Sequence, residues 1–248
     1  AGMPAMKVKP NQWKQVSRAD IKAVCLSVAR ELAPLFPERK FDPIEISRSS
    51  NGPIVLYKRG PNNTHRVRLD VDGTYWDQFA YQFAHEFCHI LCRYDDDDNQ
   101  HGWFEESLCE TASLFVLRRL TVSWKEKPPY PNWKSYAPAH HNYAEKRIVK
   151  ARKMTGEGSL KDWYEQHRPT FNTKKYSRTF EHGSALYLLP LFEEKPERWR
   201  AVQYINPKPQ GKKQTFTEYL DEWREAAPDR YAPFIEKVAG MYGIQLAP

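Results

Sequence analysis

Between Tyr75 and Cys92 the apolar residues fall at helical spacing: Trp76, Phe79, Ala80, Phe83, Ala84, Phe87, Cys88, Ile90 and Leu91. A period near 3.6 residues, held over that length, predicts a helix with a broad buried stripe. Thr74 followed by Asp77 resembles a capping box at its start. Asp95-Asp96-Asp97-Asp98 follows its far end, where negative charge opposes the helix dipole and predicts a break. A second helical pattern opens at Trp103, with Leu108, Ala112, Leu114, Phe115 and Leu117 as its apolar stripe.

Upstream, Ser17 with Asp20 reads as another capping box and opens a helix to about Ala33, just before Pro34. The period then shortens. Three strand-like segments cover Pro43–Ser47, Pro53–Lys58 and His65–Val71, with Gly60–Asn63 connecting the last two. In the third, Arg66, Arg68 and Asp70 alternate with Val67, Leu69 and Val71, as in a half-buried strand.

Downstream, Thr121–Tyr143 is rich in Pro, Trp, Tyr and His without a clear period, and reads as a long loop or insertion. Ser159 with Asp162, and Thr215 with Glu218, mark two further helix starts. Ser184–Leu189 reads as helix, with Pro190 as its end or kink. A last helix runs from about Asp229 to Ala239, with Gly240 as a stop. Together these elements predict an α+β fold: a small N-terminal sheet with helices, then the 75–92 helix, then a mainly α-helical part. The expected subdomains are 1–92 and 93–248, with a cleft between them.

Composition narrows the class. With 248 residues and 40% hydrophobic content the chain can bury a full core, and disorder is excluded. No apolar run reaches the ~18 residues of a membrane span. The first residues lack the apolar core of a secretory leader. The expected location is therefore secreted or periplasmic if a leader has been removed, and cytoplasmic otherwise. Cys25, Cys88, Cys92 and Cys109 lack disulfide-framework spacing and read as small buried residues, with one bridge between the two helices still open. Asn62-Asn63-Thr64 is a glycosylation sequon, too common a pattern to decide anything. The net charge of +7 gathers at Lys146–Lys153 and Lys208–Lys213. No nucleic-acid motif accompanies either patch, so each reads as a solvated face, or else as a site for an acidic substrate or cell-surface polymer.

The chemistry concentrates at His85-Glu86-Phe87-Cys88-His89. Residues i and i+4 share a helix face, so both imidazoles can reach one Zn²⁺, and Glu86 lies close enough to deprotonate a water activated by the metal. A catalytic zinc needs a third protein ligand. Asp95, His101 and Glu106 are the candidates. Asp95 would need a sharp turn of the kind glycine allows, yet Cys92 occupies the turn position. His101 belongs to no ligand pattern. Glu106 lies on the second helix and shares a face with Glu110, which suits one ligand and one carboxylate orienting a ligand histidine.

With His85-Glu86-x-x-His89 and then Trp103, Glu106 and Glu110 in register, the chain resembles the gluzincin metallopeptidases, the thermolysin-like and aminopeptidase-like zinc hydrolases. The resemblance covers roughly Thr74 to Ala227. It departs from the aminopeptidase-type motif at Glu105 and Ser107, where that motif has Asn and Gly. The resemblance implies one catalytic zinc held by His85, His89 and Glu106, with Glu86 as general base, a peptide or protein substrate, and an edge strand before the zinc helix that pairs with the substrate. A later segment, Phe180-Glu181-His182-Gly183-Ser184-Ala185, echoes one whose Tyr stabilises the oxyanion in that family, but Phe180 holds the Tyr position. His182 is the expected substitute, with Tyr176 and Tyr187 as other nearby donors. The competing expectation is a catalytically inactive module of the same fold that binds an anionic partner.

Overall fold

The computed structural model describes residues 2–10, 13–96, 99–171, 173, 175–209 and 214–247. Part of the Asp95–Asp98 run and most of the Lys208–Lys213 patch lie outside them. The fold is α+β, a small mixed sheet near the N-terminus followed by a mainly helical part. The strands are β1 (Met6–Val8), β2 (Ile44–Arg48), β3 (Ile54–Leu56) and β4 (His65–Leu69). The helices are α1 (Arg18–Leu32), α2 (Trp76–Cys92), α3 (Gly102–Glu126), α4 (Ala137–Thr155), α5 (Leu160–Phe171), α6 (Arg178–Glu194), α7 (Phe216–Ala226) and α8 (Ala232–Met241). The chain forms two compact units, Ala1–Ile90 with Ala112–Arg147, and Leu91–Thr111 with Ile148–Pro248. The first change of unit falls close to the expected boundary at Cys92, while 112–147 belongs with the N-terminal unit.

In the first unit the sheet order is β1-β2-β4-β3, with β1, β2 and β4 parallel and β3 antiparallel to β4. Parallel neighbours need a long crossover, and α1 supplies it between β1 and β2. The Ser17 side chain accepts a hydrogen bond from Asp20 N and caps α1, as its sequence predicts. Ile21, Val24, Cys25, Val28, Ala29 and Leu32 recur at helical spacing and are buried. Each of the Ile, Val and Leu side chains among them contributes roughly 1.5–3 kcal/mol on burial. Ile44 and Ile46 of β2, and Val67 and Leu69 of β4, bury one face of the sheet.

Two expectations change here. The segment before α2 is not an edge strand: β4 pairs with β2 on one side and β3 on the other, so the edges are β1 and β3. β1 itself escapes sequence reasoning, because three residues carry no usable period. The link from sheet to α2 is specific. Gln82 accepts from Asp70 N at 2.8 Å and donates to Asp70 O at 3.0 Å, as a neighbouring strand would.

The aromatic-rich segment after Thr121 is mostly helical. α3 continues to Glu126, a 3-10 helix covers Pro131–Tyr136, and α4 starts at Ala137. Aromatic packing explains it: Trp133 stacks on Trp76 at 4.7 Å and on Trp124 at 5.4 Å. These tertiary contacts order a segment whose sequence shows no period.

In the second unit, Ser159 and Thr215 cap α5 and α7 through Asp162 and Glu218, as predicted. Pro190 does not end its helix: α6 runs through it to Glu194. α8 likewise runs through Gly240 to Met241, and the positive-φ glycine after it is Gly243.

Candidate metal centre

α2 places His85 and His89 one turn apart on one face, as their spacing requires. Their rings lie 5.1 Å apart at 67°, and both are half-buried. Glu86 is 3% exposed. Tyr81, one turn before His85, accepts from Ser113 through its carbonyl at 2.8 Å, and Arg147 stacks on its ring at 4.4 Å. Arg39 donates to Ile90 O just beyond the motif. α2 ends at Cys92, and the left-handed residue that follows is Arg93, at φ 57°.

The second unit begins within the last turn of α2. Asn206 fixes that end: its Nδ2 donates to Cys92 O at 3.1 Å and to Glu105 at 2.7 Å. Glu105 therefore serves as a structural acceptor, which gives its mismatch with the aminopeptidase-type motif a local use. Ser107 donates to Trp103 O at 2.7 Å inside α3. Trp103 is fully buried among Phe171, Phe216, Phe104, Tyr164 and Tyr242, and anchors the start of α3. Behind it Glu106 is half-buried, Cys109 fully buried and Glu110 3% exposed.

Glu110 meets His182, Oε2 to Nε2, at 3.8 Å. The approach of α6 explains the encounter. A Cβ on Gly183 would lie 2.7 Å from Trp163 Cζ2 and 2.8 Å from Thr155 Cγ2, so only glycine allows α6 to pack this closely. Glu181 accepts from Ser177 N at 2.8 Å and fixes the helix start. Phe180 is 3% exposed, stacked on Phe171 at 3.5 Å. Its place is a hydrophobic one, and a hydroxyl there would need a partner.

The remaining candidates separate by environment. Tyr187 donates to Gly158 O at 2.7 Å. Tyr176 is 49% exposed and lies over Gly102. His101 is buried, with Nε2 2.7 Å from Gln214 O, and burial lowers its pKa. Asp95 is exposed and accepts from Asp96 N at 2.8 Å.

His85, His89 and Cys109 each carry an atom able to bind a metal ion. Two imidazoles and a thiol are a donor set suited to Zn²⁺. Cys109 is a possible donor that sequence reasoning reads only as a small buried residue. Its place on α3 between Glu106 and Glu110 was the available signal. The four cysteines are buried and outside any disulfide, so the bridge between the two helices does not form. No protein-family model matches the chain, and no curated protein matches its sequence.

Proposed function

We propose that the chain is a zinc-dependent metallopeptidase. The observation that carries this reading is the juxtaposition of His85 and His89, rings 5.1 Å apart on one helix that also buries Glu86. His85, His89 and Glu106 would hold the metal, with Cys109 as the competing third donor. Zinc bound there would act as a Lewis acid toward water and carbonyl oxygen at neutral pH.

The chain's own groups then divide the work. Glu86 takes a proton from the attacking water and returns it to the leaving amine. Glu110 orients a histidine. His182 donates to the substrate oxygen as negative charge develops on it. The substrate is a peptide or protein. Among the described residues no helix is long and apolar enough to cross a membrane.

The alternative is a catalytically inactive module that binds an anionic partner, and Phe180 favours it, because a buried phenyl ring stands where a hydroxyl donor is expected. Zinc analysis of the purified protein and digestion of a broad peptide library separate the two. The peptidase reading expects about one zinc per chain and cleavage that a chelator abolishes. A Glu86→Gln variant should keep the metal and lose turnover. Zinc-loaded protein that cuts no member of the library sinks the peptidase reading.

A further inference from the structure

The open edge of β1 carries a second site. β1 stands at one end of the sheet and pairs with β2 alone. Lys9 N donates to Ile46 O and Ile44 N donates to Ala5 O, both at 2.8 Å. In a parallel ladder alternate residues turn their backbone groups to the same neighbour. Lys7 therefore faces β2, while the amides and carbonyls of Met6 and Val8 point to the side with no strand.

A cavity of about 710 Å³ borders that edge. Met6, Lys7 and Val8 all line it, although their side chains alternate between the two faces, so the cavity follows the edge of the strand. Trp13 supplies an apolar wall, and Arg18 and Lys22 of α1 also line it. Among the described residues no acidic one lines it. Lys7, Arg18 and Lys22 are exposed, and none has a carboxylate partner among the described residues.

We propose that this groove docks an extended acidic peptide segment of a partner protein, which joins the sheet as a strand beside β1. Met6 and Val8 supply the backbone pairing, Trp13 receives apolar side chains, and the three cations receive the acidic ones. A second copy of this chain fits poorly, because β1 against β1 sets the unpaired Lys7 of one chain near that of the other. No residue lining the groove lies on α2, so the inference stands apart from the metal centre.

The test uses an acetylated octapeptide of alternating Glu and Val, its Lys–Val counterpart, and a Glu–Val peptide with alternate amides N-methylated. The Glu–Val peptide should bind, shift the Met6 and Val8 amide resonances, and weaken about tenfold or more as salt screens the charges. N-methylation should abolish binding. The exposed double variant Lys7→Glu, Lys22→Glu should lose the Glu–Val peptide about tenfold or more and gain the Lys–Val one. The proposal is overturned if the Glu–Val peptide fails to bind, if N-methylation or the double variant leaves affinity unchanged, or if the shifts fall away from β1. A concentration-dependent dimer that shifts the same two resonances on dilution would assign the edge to a second copy, and also overturns it.

Discussion

The Glu110 carboxylate lies 3.8 Å from Nε2 of His182. Both groups project from buried or half-buried helical positions, and neither stands near the other in sequence. The histidine of the 180–185 segment is thus placed against the acid that shares a helix face with Glu106. If His182 supports the developing oxyanion, His182→Ala should lower kcat by about 10²–10³ with KM little changed. Zinc content should stay at the wild-type level. Loss of zinc together with activity would instead make His182 part of the scaffold around the metal.

The identity of the third ligand gives the second prediction. With Glu106 as ligand, Glu106→Ala should weaken zinc by a large factor, whereas Cys109→Ser should leave affinity within about tenfold, the scale of a supporting residue. Competition against a calibrated chelator measures both. Cobalt-loaded protein adds an independent readout, since a thiolate ligand produces a sulfur-to-metal charge-transfer band and carboxylate ligation does not. Such a band, lost in Cys109→Ser, would move the third ligand from Glu106 to Cys109.

Gly183 offers a test of the scaffold alone. A methyl group there meets Trp163 and Thr155 at 2.7–2.8 Å, and both neighbours belong to packed helices. Overpacking of this kind costs about 1–3 kcal/mol. Gly183→Ala should therefore lower the urea midpoint with an unchanged m-value. It should also push α6 away from α5, and reduce activity through His182 more than it reduces zinc binding. Unaltered stability would mean that α6 and α5 are less tightly packed than these distances state.

Much of the candidate site was legible because it rests on local periodicity. The helix over His85 and His89, the helix carrying Glu106 and Glu110, and the caps at Ser17, Ser159 and Thr215 all follow from spacing within one turn. What escaped rests on distance in sequence. β1 is too short for a period and exists through pairing with β2. The 121–143 segment is ordered by Trp133 against Trp76 and Trp124, which no window of local sequence contains. Pro190 and Gly240 are tolerated inside helices because packing outweighs their propensity.

His140 gives the last prediction. It is fully buried, with its ring edge-on to Trp124 at 4.5 Å and Tyr136 at 5.5 Å, and neither ring nitrogen has a hydrogen-bond partner. Burial lowers its pKa to about 3 from the ordinary 6.5. Between those values the unfolded chain binds the proton and the folded chain does not, so stability rises with pH. The contribution is complete above about pH 6.5 and is lost as pH falls toward 3, by at most about 1.4 kcal/mol per pH unit. His65, lowered to about 3 by burial and by Arg59 and Arg39, adds a limb of the same sign. His140→Leu removes one of the two. Its unfolding free energy should fall less steeply than that of the wild type between pH 6.5 and 4, while His65 keeps part of the slope. Denaturant titrations at several pH values measure this directly. Parallel wild-type and His140→Leu profiles would mean that His140 is hydrated or hydrogen-bonded in solution.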